Sequence, residues 1–274
     1  MGFVKVTYLN TIHQNRINEI ITSGEVFKNK SGNEFIIVCY DSSFNVRIRF
    51  IKTGYEKSYE LSQIRKGLVK DRFEPTVCNV GIVGDKYATK LNNLPLPQYV
   101  LWSNVLRRCY SASYHEMSET YANCTTSENF KHYTYFYEWC NEQIGFNCKD
   151  DNGRLFNIDK DLLIKGNKVY GEDTCVFLPI EINAVLVKRD KMRGDCVLGV
   201  YKHKHYNEDK FVAQLNLNTG KAKYLGLFNT EIEAFNAYKT AKENYLKELA
   251  NKWEGKIDDR AYKALMNYNV GAED

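Results

Sequence analysis

Apolar and polar residues alternate most clearly between residues 199 and 228, and this alternation predicts β-strands. Residues 199–204, 210–217 and 221–226 have the pattern of three short strands separated by polar turns. In the middle strand one set of side chains is apolar and suits packing on a helix, while the other set is free to face a partner. The two sets are Phe211, Ala213, Leu215 and Leu217 on one side, and Val212, Gln214 and Asn216 on the other.

A long amphipathic helix is predicted directly after these strands. Thr230 and Glu233 have the spacing of a capping box, in which each side chain binds an otherwise unpaired backbone N–H at the start of a helix. Apolar residues then recur at helical spacing and form a stripe that can cover the sheet. The stripe consists of Ala234, Tyr238, Ala241, Tyr245 and Leu249.

The rest of the chain divides into a β-rich beginning and a helical middle. In the segment 45–50 the valine, isoleucine and phenylalanine are expected to face inward and the two arginines outward, and frequent glycines further along suggest a small barrel. Later helices are predicted over 98–110 and 127–144, with Trp102 and Trp139 as core anchors. We expect a multi-domain α+β fold with domains at 1–90 (small, β-rich), 98–190 (helical, then strand, strand and helix), 195–253 (three-stranded antiparallel sheet plus helix) and 254–274 (helical tail).

Composition narrows the class of protein. The chain has 274 residues, of which 43% are hydrophobic and 26% charged, as in an ordinary folded protein. No stretch approaches the roughly 20 apolar residues that span a bilayer, and no secretory signal pattern opens the chain, so we expect no membrane partner and an intracellular location. The eight cysteines include no Cys-x-x-Cys pair, which argues against both a zinc ribbon and a disulfide scaffold.

The strands at 199–228 resemble the plant ethylene-response-factor type of DNA-binding domain. The resemblance rests on Gly-Val-Tyr at the start of the first strand, on Leu-Gly-x-Phe-x-Thr before the helix, and on the alanine and tyrosine positions of the helix. Such domains lay their sheet in the major groove of DNA. The arginine- and tryptophan-rich face of the plant domains is replaced here by Lys202, Lys204, Gln214 and Tyr224, which favours phosphate attraction over base readout.

Asp159, Lys160, Asp161 and Asn183 form the candidate catalytic set. Their spacing is similar to that of the ββα-metal, or HNH, nuclease motif, in which a strand carries a metal-ligating acid followed by a histidine base and a later helix carries another ligand. The resemblance assigns Asp159 and Asn183 as metal ligands for Mg²⁺ or a similar divalent cation. Lys160 occupies the position of the histidine, and a lysine is a poor base at neutral pH unless burial makes it neutral.

The order of motifs across 98–253 looks like that of phage-encoded HNH-type homing endonucleases with a C-terminal ethylene-response-factor-like domain. The frame includes 102–110, Gly166-Asn167-Lys168-x-Tyr170 and 174–183. The resemblance implies a homing or nicking endonuclease acting on double-stranded DNA in the host-cell cytoplasm. Basic residues also outnumber acidic ones between 188 and 210. The candidate DNA-binding residues are Arg107, Arg108, Arg193, Lys202, Lys204, Lys210, Gln214, Lys223 and Tyr224.

Two other interpretations stay open at this point. The ββα region could survive as a scaffold in a non-catalytic DNA-binding protein. The C-terminal sheet could instead contact a protein, for example one belonging to a host system. Steep loss of duplex binding with rising salt separates the DNA-binding interpretations from the third.

Overall fold

Helices and strands both occur in the computed structural model of this chain, so the α+β fold class is confirmed. The structure describes residues 6–7, 9, 12–187, 196–203, 210–217 and 222–272. The chain divides into two units, which are Met1–Leu96 with Lys131–Thr134 and Pro97–Phe130 with Tyr135–Asp274. Among the described helices, none combines the length and the apolar character that crossing a bilayer requires.

The first unit is built on a five-stranded sheet in which the strands lie in sequence order. The first two strands run parallel, and each later strand runs antiparallel to the one before it. The sheet strands are β1 (Val6–Thr7), β2 (Val26–Lys28), β3 (Glu34–Ser42), β4 (Asn45–Phe50) and β5 (Glu56–Tyr59). The other elements are α1 (Ile17–Ser23), α2 (Leu61–Arg65) and the small hairpin of β6 (Lys90–Leu91) and β7 (Leu94–Pro95).

Strict alternation in β4 positions the core of this unit. Val46, Ile48 and Phe50 are fully buried while the two arginines between them are exposed, as the pattern predicts. Isoleucines of α1 and α2 belong to the same buried cluster, so two helices supply the second layer over the apolar face. The described strands therefore form a sheet with β1 and β5 at its edges, and not the small barrel that we expected.

The second unit begins with helices packed around aromatic side chains. Trp102 and Trp139 are both buried, as predicted, and Trp102 Nε1 donates a 2.8 Å hydrogen bond to the carbonyl oxygen of Phe130. The Phe130 and Trp139 ring centroids are 4.7 Å apart, and Trp139 lies 5.7 Å from Phe177. The elements of this part are α3 (Pro97–Tyr110), α4 (Ala112–Met117), β8 (Thr125–Thr126) and α5 (Tyr133–Glu142).

A strand–strand–helix arrangement follows the aromatic core. β9 (Asn157–Asp159) pairs antiparallel with β11 (Val176–Leu178), and α6 (Ile180–Leu186) begins one residue after Pro179. The short strand β10 (Val169–Tyr170), in the connection, pairs in parallel with β8 instead. This arrangement agrees with the strand, loop, strand and helix that the sequence pattern predicts.

The C-terminal part contains the predicted three-stranded antiparallel sheet and its helix. The strands β12 (Val200–Lys202), β13 (Phe211–Asn216) and β14 (Ala222–Phe228) lie in sequence order. Both hydrogen bonds of the capping box form at the start of α7 (Glu231–Lys252), which confirms that prediction. α8 (Asp259–Met266) falls within the predicted helical tail, and Val270 beyond it joins the buried cluster between the sheet and α7.

Gly199 brings the backbone before β12 against the Tyr238 ring of α7. Its φ is 76°, and a Cβ atom there would overlap the ring. Gly153 has a similar φ of 75°, but a Cβ atom added there would have no neighbour within 4 Å, which makes this glycine a matched control in the same unit.

We expect Gly199→Ala to lower the free energy of unfolding by about 2–4 kcal/mol, because backbone strain and steric overlap add. Gly153→Ala, with backbone strain alone, is expected to cost about 1–2 kcal/mol. Urea denaturation of both variants measures the difference. Equal losses would show that the close approach to Tyr238 contributes nothing.

Candidate functional site

The candidate site starts at the end of β9, where a carboxylate is buried. Only 6% of Asp159 is exposed. Its Oδ1 accepts backbone N–H groups from Asp161 at 3.1 Å and from Leu162 at 2.8 Å. The side chain therefore fixes the turn that follows the strand, and this turn brings the Asp161 carboxyl group back towards Asp159.

Lys160 is the buried cation of the site. Its Nζ donates to Asp161 Oδ2 at 3.1 Å and to the carbonyl oxygen of Asn167 at 3.0 Å, and it lies 5.7 Å from the centroid of the Tyr170 ring. The Asn167 side chain returns a 2.7 Å hydrogen bond from Nδ2 to the carbonyl oxygen of Lys160. These contacts hold the ammonium group in one place between a carboxylate and an aromatic ring.

A second cation reaches the same tyrosine from α3. Arg108 is half-buried, its Nη1 lies 3.5 Å from the Tyr170 hydroxyl, and its guanidinium group lies 5.7 Å from the centroid of the Tyr121 ring. Burial raises the pKa of Tyr170 above its usual value, so this residue remains a neutral hydroxyl group. Arg107, one residue earlier, is exposed. The two arginines, both predicted to bind DNA, therefore differ in exposure.

The two carboxyl groups of the site repel each other. Burial first, and then the charge of Asp161, raise the pKa of Asp159 from its ordinary value of 3.8 to about 6, although the two backbone N–H donors act in the opposite direction. A divalent cation would relieve this repulsion, and hard carboxylate oxygens are what such a cation prefers. Asp159 and Asp161 thus fit a divalent metal ion in charge and in donor type.

Asn183 lies on α6, which follows β11 and contacts β9. It is half-buried, so the ββα arrangement brings its helix beside the strand that carries Asp159. Within the part of the chain that the structure describes, no group of three or more His, Cys, Asp or Glu side chains is arranged to hold a metal. The groups that could donate to a metal ion are therefore the carboxylates of Asp159 and Asp161, with the amide of Asn183 on the adjoining helix.

The outer face of the C-terminal sheet carries two of the predicted DNA-binding residues. Directly paired residues of antiparallel strands share a face, and Gln214 pairs with Tyr224 on the side away from α7. Gln214 is exposed, and Tyr224 is 63% exposed. Val212, expected on this polar side, is buried, and its partners in the two neighbouring strands are Tyr201 and Leu227.

The described lysines of this sheet do not lie on the outer face that carries Gln214 and Tyr224. Lys202 pairs with Phe211, and Lys223 pairs with Leu215, whose side chains pack towards α7. Lys223 lines a groove with Leu217 and α7 residues that include Thr240. Lys210 precedes β13 and donates from Nζ to Asn229 Oδ1 at 2.6 Å. Arg193 and Lys204 lie outside the described residues.

Asn167 and Tyr170 are functional candidates that the sequence interpretation did not assign. Both belong to the Gly166-Asn167-Lys168-x-Tyr170 motif, which supported the family resemblance without indicating a role. Their contacts with Lys160 become visible only when β10 folds back beside the turn after β9. The motif marked these residues in the sequence, but it did not indicate that they would contact Lys160.

Removing the charge of Asp159 is expected to stabilise the fold. The pKa of this carboxyl group is higher in the folded than in the unfolded chain. The free energy of unfolding of the protein therefore falls as the pH rises from 3.8 through about 6. Asp159→Asn keeps an oxygen for the two N–H donors, so at pH 8 we expect a gain on the order of 1–3 kcal/mol, which shrinks to nothing below about pH 4. Urea denaturation across this pH range is the measurement.

Asp151→Asn is the matched control. The Asp151 carboxylate is 64% exposed and pairs with Lys252 Nζ at 2.8 Å. Its loss is expected to cost less than about 1 kcal/mol at pH 8. A less stable Asp159→Asn variant at pH 8 would contradict the account of the buried carboxylate.

Comparison with known proteins gives no match for this chain. No protein-family model, no curated protein and no solved structure matches it. The geometry around Asp159 and the sheet of β12, β13 and β14 are therefore the observations on which a functional conclusion depends.

Proposed function

We propose that this chain is a DNA-binding endonuclease that hydrolyses phosphodiester bonds with the help of a divalent metal ion. The observation that carries the proposal is the pair of carboxyl groups at the end of β9, within a ββα arrangement and next to a buried ammonium group. Asp159 and Asp161 form the pair. Lys160 contacts Asp161 directly, and Arg108 contacts Tyr170, whose ring lies beside the Lys160 ammonium group.

In this proposal the carboxylates of Asp159 and Asp161 hold the metal ion, together with Asn183 from α6. A bound divalent ion would activate water and neutralise charge on the phosphate. The chain supplies the rest of the electrostatics. The buried Lys160 ammonium group is already bound to Asp161 and to the Asn167 carbonyl oxygen, which suits it to stabilise charge on a phosphate oxygen and not to accept a proton.

Arg108 would serve as the second positive group. Its contact with Tyr170 and its position over Tyr121 fix the guanidinium group, so little further ordering is needed when a phosphate arrives. Arg107 is exposed on the same helix and would contact a neighbouring backbone phosphate, which adds affinity without sequence preference.

The C-terminal sheet would hold the duplex beside the site. Its outer face presents Gln214 and Tyr224, and Tyr201 is 44% exposed in the row next to them. Amide side chains can bind adenine through two hydrogen bonds in the major groove. These strands are therefore suited to base contacts, while phosphate contacts are left to basic residues such as Lys210 and Arg107.

A second candidate function is DNA binding without catalysis. Asp159 Oδ1 already accepts two backbone N–H groups, and Asp161 is already paired with Lys160. Carboxylates satisfied in this way also occur in purely structural turns. Cleavage assays separate this candidate from the nuclease.

Supercoiled plasmid incubated with the protein and Mg²⁺ or Mn²⁺ is expected to be nicked or linearised. Asp159→Asn is expected to lower the rate roughly 100-fold or more, since it removes one of the two charges that hold the ion. Asp151→Asn should cleave at the wild-type rate, because that carboxylate is exposed and pairs with Lys252. Unchanged cleavage by Asp159→Asn would refute the metal assignment, and duplex binding without cleavage by the wild type would favour the second candidate.

Duplex binding is expected to weaken steeply with salt, and Arg107 should account for part of that dependence. Arg107→Ala is expected to reduce the slope of log K against log salt by about one, because one phosphate contact is lost. Arg107→Lys keeps the charge and should retain the slope. Binding measured by fluorescence anisotropy between low and moderate salt tests this, and insensitivity of the wild type to salt would favour a protein partner instead.

A further inference from the structure

The helix α8 contacts the loop that leads into β11. The Arg260 guanidinium group lies 3.4 Å from the carbonyl oxygens of Glu172 and Asp173 and 3.5 Å from that of Cys175. Asp258 holds the same guanidinium group, with Nη2 2.9 Å from Oδ2. One side chain thus binds three carbonyl groups of the chain just before β11.

The residues after α8 contact the loop that follows β9. Lys165 Nζ, four residues beyond Asp161, donates to the carbonyl oxygen of Asn269 at 2.6 Å and lies 4.6 Å from the centroid of the Tyr268 ring. The loop after β9 and the loop before β11 are therefore both attached to the segment 258–270. Both loops meet the strand pair at the end where Asp159 pairs with Val176.

The segment 258–270 is itself fixed to α7. Lys239 donates to the carbonyl oxygen of Val270 at 3.0 Å, and Glu243 Oε1 accepts the Val270 N–H at 2.9 Å. Val270 is 1% exposed within the core beneath the C-terminal sheet. The segment is therefore continuous with the core of the sheet domain and in contact with the two loops next to the candidate site.

The end of α7 is attached to α6 in the same way. Glu181, in the first turn of α6, accepts hydrogen bonds from Lys252 Nζ at 2.6 Å and from Trp253 Nε1 at 2.5 Å. The helix that carries Asn183 thus takes its position from the last turn of α7. The loop after β9, the loop before β11 and the helix α6 thus all contact α7 or the segment that follows it.

We propose that the segment 258–270 is a strap that positions the metal-binding pair, with Arg260 as its principal positioning residue. Arg260 touches neither Asp159 nor Asp161, so its effect is exerted through the backbone before β11, whose Val176 pairs with Asp159. This strap connects the sheet of β12, β13 and β14, which would bind DNA, with the strands β9 and β11, beside which the metal site would lie. The inference rests on the proposed nuclease function for its kinetic test, but not for its structural one.

The test compares Arg260→Ala with Lys263→Ala in the full chain. Lys263 is exposed on the same helix, so the control removes the same charge without touching the loop. With plasmid in excess over protein and Mg²⁺ or Mn²⁺ present, Arg260→Ala is expected to lower kcat for plasmid cleavage roughly 10- to 100-fold, since small displacements of reacting groups have effects of that size. Its duplex Kd and its KM should match those of the wild type, because the sheet is untouched.

Arg260→Lys separates charge from geometry. A lysine keeps the positive charge but cannot present the planar fork of donors to three carbonyl groups, so kcat should stay low. Lys165→Ala, a change at an exposed position, provides a second test that leaves Arg260 in place and is also expected to lower kcat. Wild-type kcat in both Arg260→Ala and Lys165→Ala would overturn the inference.

Hydrogen exchange provides the structural readout. Backbone amides between 161 and 176 are expected to exchange faster in Arg260→Ala than in Lys263→Ala or the wild type. If wild-type protein cleaves no DNA, the proposed nuclease function fails, and this measurement alone decides the role of the strap. Unchanged exchange in Arg260→Ala would overturn it.

Discussion

Burial of the Asp159 carboxylate is the constraint on which the site depends. A charged group removed from water costs several kcal/mol unless donors or opposite charges replace its hydration. Two backbone N–H groups replace part of it, and they can do so only because the chain turns sharply after β9. The raised pKa of Asp159 shows that compensation is incomplete. A fold under selection for stability alone would replace such a group, which makes this position a candidate for function.

The surroundings of Asp159 follow from the same constraint. Lys160 places its ammonium group between Asp161 and the Asn167 carbonyl oxygen, so a second charge is buried and satisfied locally. Tyr170 covers it with an aromatic ring and also contacts Arg108. Positive and negative groups thus alternate from the buried Asp159 and Lys160 to the more exposed Asp161 and Arg108. Interactions among such groups are stronger than at the surface, and each one fixes the position of the next.

Local patterns in the sequence predicted several of the helices and strands, but not which surfaces those elements would bury. Period-two alternation predicted β4 and β13, and the Thr230–Glu233 spacing predicted the start of α7, because these signals depend on neighbours within a few residues. The barrel was wrong because α1 and α2 cover the first sheet, which no local pattern reveals. Alternation counted from Val200 puts Lys202 in the row that faces α7, and an irregularity after Ala213 lets the half-buried Leu225 pack against the core.

The candidate site shows the same division between local and distant information. Asp159, Lys160 and Asp161 are adjacent in sequence, and their mutual contacts follow from the turn that they form. Arg260 lies 85 residues after Cys175, and its contacts are with carbonyl groups, which every residue possesses. The side chains at 172–175 therefore give no sign in the sequence that an arginine binds the backbone there. If DNA binds the outer face of β13 and β14, its energetic coupling to the carboxylate pair would pass through backbone contacts of this kind. The residues that make such contacts need not belong to any recognisable sequence motif.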